Sequence, residues 1–260
     1  MIVVQLSGGL GNQMFQYATG RALAARHGTQ LVLDSSGYEL GCFQLEARLA
    51  PIEKVARLHR SILPSRRPLL QEASSELLQA PDNTYLRGDW KSLTHFEDAD
   101  ALLRRDFTFR PEIVSQPAEL AREIGESPVP TVSLHVRTTL EPDYYSRALD
   151  ALGSGVGSVR LFVFTDDPEW CKASLRLNDQ DVIVGATGAA EMHLMTLCDH
   201  HVLADSSFSW WGAWLNSSPA KIVVAPRPWL QDLPAEWVQI DRRDYQADQP
   251  PSTTTFAPVT

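Results

Sequence analysis

The chain has 260 residues, 43% hydrophobic and 21% charged, with a formal net charge of −9 at pH 7. This is the composition of a soluble globular protein, long enough to bury roughly 70–75% of its unfolded surface in one large domain or two small ones. The excess of carboxylates argues against nucleic acid as a partner, because that affinity comes from Lys and Arg on phosphates. No apolar run reaches the ~18 residues of a transmembrane segment.

Met1-Ile2-Val3-Val4-Gln5-Leu6 carries no basic leader and runs straight into glycines, so Ile2–Leu6 is predicted as a strand and not a signal peptide. Ser7-Gly8-Gly9-Leu10-Gly11-Asn12-Gln13 follows, then an amphipathic helix over Met14–His27 and a second strand, Gln30–Leu33, ending at Asp34. Residues 45–125 are less regular, with Pro51, Pro64, Pro68 and Pro81 as breaks, few convincing strands, and helical spacing over Ile113–Ile124. Ser127-Pro128-Val129-Pro130 reads as an interdomain break. Beyond it, short apolar runs at Val132–Val136, Arg160–Phe164, Val182–Val184, Val202–Ala204 and Ile222–Val224 read as strands buried on both faces. Helical patterns at Asp143–Leu152, Pro168–Leu177, Glu191–His200 and Ser207–Asn216 separate them, which predicts a doubly wound parallel sheet. The division expected is an N-terminal unit 1–128, a C-terminal unit 129–230 and an extension 231–260 whose end, Gln246–Thr260, reads as disordered. Two such units in tandem leave a cleft between them, a common place for a ligand.

Three cysteines, Cys42, Cys171 and Cys198, fit no metal or redox spacing and read as reduced thiols of a cytoplasmic protein. Asp166-Asp167-Pro168 and Asp98-Ala99-Asp100 stand at helix starts, where carboxylates complement the dipole without an ion. His193, Cys198, His200 and His201 match no zinc pattern, so no metal is expected. The glycine loop resembles a dinucleotide fingerprint, but counting from Gly9 the third glycine falls on Met14, which disfavours a nicotinamide cofactor. Asn12 and Gln13, at the helix start, either hydrogen-bond a sugar or phosphate or cap the helix.

His135 and Arg137 alternate along one strand and share a face, at the carboxyl end where a ligand crevice opens. A guanidinium there grips phosphate oxygens and neutralises charge on a leaving diphosphate. The alternatives are a buried Arg–Asp pair and a satisfied core histidine. Asp205-Ser206-Ser207 reads as a helix cap, and with Ser209 it sets hydroxyls at a helix start, the geometry that binds anions. The helix that follows, with Phe208, Trp210, Trp211, Trp214 and Leu215, reads mostly as core.

Four blocks together resemble the bacterial α-1,2-fucosyltransferases of glycosyltransferase family 11: Gly8 to Ala18, His135-Val136-Arg137, Phe164 to Cys171, and Ser206 to Asn216. They occur in the family's order and span most of the chain. The resemblance implies a GT-B-like α/β fold of two Rossmann-like units with a cleft between them, GDP-fucose as donor, a galactoside as acceptor, and inversion without a metal. It implies that Arg137 contacts the diphosphate, that His135 lies beside the nucleotide, and that Ser206 and Ser207 donate to phosphate. Gly9, Gly11, Asn12, Gln13, Asp166 and Ser209 complete the expected donor site. This chain departs from the family at Thr138, where a second arginine is usual, and in the shortened loop Thr139–Tyr145. It departs again at Asp205, usually asparagine, and at Gly185-Ala186-Thr187, which lacks an acidic guanine reader.

The chemistry expected is direct displacement, with Glu141 as base, Asp143 second, and Arg137 receiving the leaving GDP. Trp90, in Arg87-Gly88-Asp89-Trp90, is either an acceptor wall or part of a surface turn. Rival readings keep the fold with another nucleotide-sugar donor, or make the protein a non-catalytic nucleotide- or saccharide-binding relative in a polysaccharide assembly. Peripheral association with the inner membrane is left open.

Overall fold

The computed structural model describes residues 1–34, 37–50, 69–71, 77–228 and 233–242. The breaks at Pro51, Pro64 and Pro68 and the tail Gln246–Thr260 lie outside them.

Two parallel sheets organise the chain. The first runs in the order β3 (Arg48–Ala50), β2 (Leu31–Asp34), β1 (Ile2–Gln5), β5 (Tyr85–Arg87), β4 (Leu69–Gln71). The second runs β11 (Val238–Asp241), β10 (Val223–Arg227), β9 (His200–Val202), β6 (Thr131–Val136), β7 (Arg160–Thr165), β8 (Val182–Ile183). The central strand β6 is buried along its whole length, as its unbroken apolar reading requires. β3, β4 and β5 have only three residues each, too few to show a periodicity, and this is why residues 45–125 look irregular as sequence. β11 extends the second sheet, although residues 231–260 are expected to lie outside that unit.

Among the described residues the helices are α1 (Leu10–Arg26), α2 (Asp100–Asp106), α3 (Pro111–Ser115), α4 (Ala118–Gly125), α5 (Pro142–Val156), α6 (Pro168–Ser174), α7 (Gly188–Leu197) and α8 (Ser207–Leu215). The pattern over Ile113–Ile124 divides into α3 and α4 because Pro117, at the start of α4, has no N–H to continue a ladder. The helix expected over Glu191–His200 stops at Leu197, and His200 and His201 enter β9 instead. Tertiary hydrogen bonds hold them there: Ser133 Oγ is 2.7 Å from His201 Nδ1, Asn216 Nδ2 is 2.9 Å from its Nε2, and the Ile222 N–H donates to His200 Nδ1.

α1 begins four residues earlier than expected, with Gly9 as its extended cap and the Asn12 and Gln13 N–H groups donating to the Gly9 carbonyl. It is buried on nearly every side, so it carries no continuous polar stripe. One side faces β1, where a Cβ on Gly20 would overlap Val4. The other faces the second unit. A Cβ on Gly11 would lie 2.6 Å from the Ser207 carbonyl carbon and the Phe208 nitrogen. Trp211 Nε1 donates to the Gly11 carbonyl at 3.0 Å. Around that contact Phe15 packs on Trp210 and Trp211, with ring centroids 4.8 and 4.9 Å away. Phe96, Phe107, Trp214 and Trp237 join the same cluster. One apolar core therefore runs from the first unit into α8.

Gly11→Ala forces a methyl group against backbone that has no side-chain freedom to yield. It is expected to destabilise the protein by about 1–3 kcal/mol, read as a lower Tm, whereas Gly153→Ala, with open space at its Cβ, should not.

Candidate active site

β6 delivers His135 and Arg137 to the carboxyl edge of the second sheet. The Arg137 backbone is clamped by Tyr145 of α5: its N–H donates to the phenol oxygen at 2.8 Å, and the phenol O–H donates to its carbonyl at 2.9 Å. Arg137 Nη1 lies 2.7 Å from an Asp166 carboxylate oxygen at the end of β7, yet its side chain remains 34% exposed. Arg137 is thus a paired arginine and an accessible one. Burial pushes the Asp166 carboxyl up, but the hydrogen bond and charge of Arg137 outweigh it and hold the group below its ordinary value. Asp167 caps α6 by accepting from the Trp170 N–H at 2.9 Å, as the Asp-Asp-Pro pattern predicts.

His135 is not the satisfied core histidine considered as its alternative. It is buried with neither ring nitrogen hydrogen-bonded, and its ring centroid lies 6.1 Å from that of Phe208 in the first turn of α8. Burial, then the Arg137 charge, pulls its pKa down to about 3, so the imidazole is neutral at ordinary pH.

Ser206 caps α8, accepting from the Phe208 N–H at 3.3 Å. Ser207 Oγ donates to Asn12 Oδ1 at 2.8 Å across the two units. Thr139, in the loop after β6, donates to Asp205 Oδ1 at 2.8 Å, which ties the loop of Arg137 to the start of α8. The sheet edge thus gathers Arg137, His135, Asp166, Ser206 and Ser207, with the exposed Gly9 and half-exposed Asn12 facing them from the α1 start.

Several expected site residues are placed otherwise. Gln13 is fully buried and fully employed: its Nε2 donates to the Gly8 and Gly37 carbonyls and its Oε1 accepts from the Glu39 N–H, so it ties two loops and has nothing left for a ligand. Gly11 is sealed against α8. Ser209 is buried with its hydroxyl donating to the Ser206 carbonyl, inside the helix. Trp90 is fully buried against His95, at a positive φ of 56°, and offers no open stacking face. Trp210, Trp211 and Trp214 are buried in the shared core, as the reading of this helix as mostly core expects. Asp143 pairs with Arg147 within α5, whereas Glu141 is exposed at the start of that helix.

Three groups escape a reading by pattern. Glu191, in the first turn of α7, lies in the field of Arg137 and Asp166. Glu39 lies over Gly9, with Oε2 3.9 Å from where a Gly9 Cβ would stand. Arg242 donates to Asp205 at 2.6 Å. Glu191 resembles any acidic residue at a helix start, and the others sit in segments without a motif.

Two parallel sheets welded through helix starts, with an arginine and a serine-tipped helix at their common edge, define a GT-B-like glycosyltransferase. Residues 1–237 match Glycosyl transferase family 11, and the chain belongs to that family. It is similar to an α-1,2-colitosyltransferase of Escherichia coli, 30% identical over 93% of this chain and 99% of the relative. The O-antigen biosynthesis glycosyltransferase WbnK of Escherichia coli is 27% identical over 86% of this chain and 93% of its own. The fold is similar to that of fucosyltransferase NodZ from Bradyrhizobium, with a TM-score of 0.58 and 17% identity over 82% of this chain and 90% of that one. NodZ is an α-1,6-fucosyltransferase whose crystals were also soaked with GDP-fucose. No helix among the described residues is long and apolar enough to cross a membrane.

Burial raises the Glu191 pKa from 4.5 to about 7, against the pull of Arg137 and with the push of Asp166. The folded state therefore holds this proton more tightly than the unfolded chain, and the group's contribution to stability falls as pH rises through that window. Glu191→Gln is expected to raise Tm relative to the parent above pH 7 and to leave it unchanged near pH 4.5. Equal shifts at both pH values in thermal melts would remove the assignment.

Proposed function

We propose that the protein transfers L-fucose from GDP-fucose to the 2-hydroxyl of a galactoside, with inversion at the anomeric carbon and without a metal ion. The observation that carries this reading is the clamped, accessible Arg137 at the same sheet edge as the capped start of α8. A guanidinium and helix-terminal amides supply the positive charge that a departing diphosphate needs. The family membership and the donor soaked into NodZ crystals support GDP-fucose as the donor.

In this reaction the acceptor hydroxyl oxygen forms a bond to the anomeric carbon as the bond from that carbon to the β-phosphate oxygen breaks. The electron pair leaves on GDP, and the acceptor proton passes to a carboxylate. Glu141 is the base we favour, because it is exposed just after the Arg137 loop while Asp143 is engaged by Arg147. Neutral His135 lies beside the nucleotide.

A second reading is favoured by one specific observation: a 30% identical relative is a colitosyltransferase. Colitose is the 3-deoxy counterpart of fucose, so the same diphosphate machinery serves both sugars. Assays with GDP-fucose and GDP-colitose on a lactose-type acceptor distinguish the two. Binding of GDP without turnover of either donor would make the protein a non-catalytic relative.

Arg137→Ala is expected to reduce transfer by roughly 10²–10³-fold, the range for removing one charge-stabilising donor. It should also weaken GDP binding in calorimetry. Full transfer by this variant would overturn the reading, as would tighter binding of UDP or dTDP than of GDP for the choice of donor.

A further inference from the structure

We infer that Arg242 is a second cation for the diphosphate of the donor, held beside the start of α8 by Asp205; this rests on the donor reading above. Arg242 follows β11 directly, and its backbone N–H donates to the Arg227 carbonyl at 2.9 Å, which fixes it at the end of β10. Its Nη2 donates to Asp205 Oδ2 at 2.6 Å. Asp205 immediately precedes Ser206, the cap of α8, and its other oxygen is held by Thr139. The head of Arg242 therefore stands beside the amides expected to bind phosphate.

Charge makes the arrangement specific. A carboxylate next to a diphosphate repels it, and Asp205 alone would weaken this corner as an anion site. Arg242 cancels that charge. A guanidinium has five N–H donors, and the contact to Asp205 leaves others for phosphate oxygens. Arg242 is 31% exposed, close to the 34% of Arg137, which stands after β6 in the same sheet. Arg227, at the end of β10, spends its fork on both oxygens of Asp241. An independent sign marks the same corner as a ligand site: His135 is buried without a hydrogen bond at either nitrogen, against Phe208 in the first turn of α8. Arg242 lies beyond residues 1–237, the part matched to the family.

The test is calorimetric titration of the full chain with GDP. Arg242→Gln is expected to weaken binding about tenfold, the scale of one charge-assisted hydrogen bond, with Arg242→Lys in between. Asp205→Asn keeps an acceptor for Arg242 but removes the repelling charge, so it is expected to bind GDP as tightly as the parent or more so. Opposite directions for the two variants support the assignment. If both weakened GDP binding equally, Arg242 would be a structural partner of Asp205 and the inference would fail. Unchanged binding in Arg242→Gln would also overturn it, while leaving the role of Arg137 standing. A parent protein that bound no nucleoside diphosphate would overturn the donor reading and this role together.

Discussion

The starts of α1 and α8 meet at backbone distance, and this contact positions everything else. Each helix start carries about half a positive charge on its unsatisfied amides. Bringing two such ends together is unfavourable on electrostatic grounds alone. Aromatic packing offsets the repulsion: Phe15, Trp210 and Trp211 interlock immediately behind the Gly11–Ser207 contact. The same packing leaves two positive ends beside each other at the sheet edge, which is a standing preference for an anion. Stability and ligand preference thus come from one contact.

A net charge of −9 is compatible with the anionic donor proposed above, because the positive charge is local. Arg137 and Arg242 each lie against one carboxylate, Asp166 and Asp205, at strand ends of the same sheet. These pairs keep the guanidinium groups oriented without burying them. Screening by solvent makes such partly exposed pairs weak contributors to folding, so their value lies in holding a geometry. Glu191, whose pKa burial raises to about 7, adds less negative charge to this edge at neutral pH than its identity suggests.

The second sheet was legible in the sequence because its strands are buried on both faces and read as unbroken apolar runs, and because Asp167-Pro168 and Ser206-Ser207 are strong helix starts. The first sheet was less so. Its three-residue strands carry no period, and their pairing depends on contacts distant in sequence. Gly11 and Gln13 looked like ligand contacts because small and amide residues at a helix start serve either purpose; only the approach of α8 and of the Gly37 loop decides it. Trp90 misled for a related reason: a tryptophan after Gly-Asp reads as a surface turn, while its indole is taken inward by the core around Phe96. Arg242 stood in a segment without a pattern, and its meaning appears only when β11 joins the sheet.

The aromatic cluster shared by both units has a consequence for how such a chain diversifies. The tryptophans of α8 are contributed by one half and covered by the other, so neither half closes its own apolar surface. The units cannot be exchanged like independent modules, since a new partner would have to reproduce the facets around Phe15 and Phe96. The strand-end loops lie outside this shared core, so a change in them leaves the weld beneath intact.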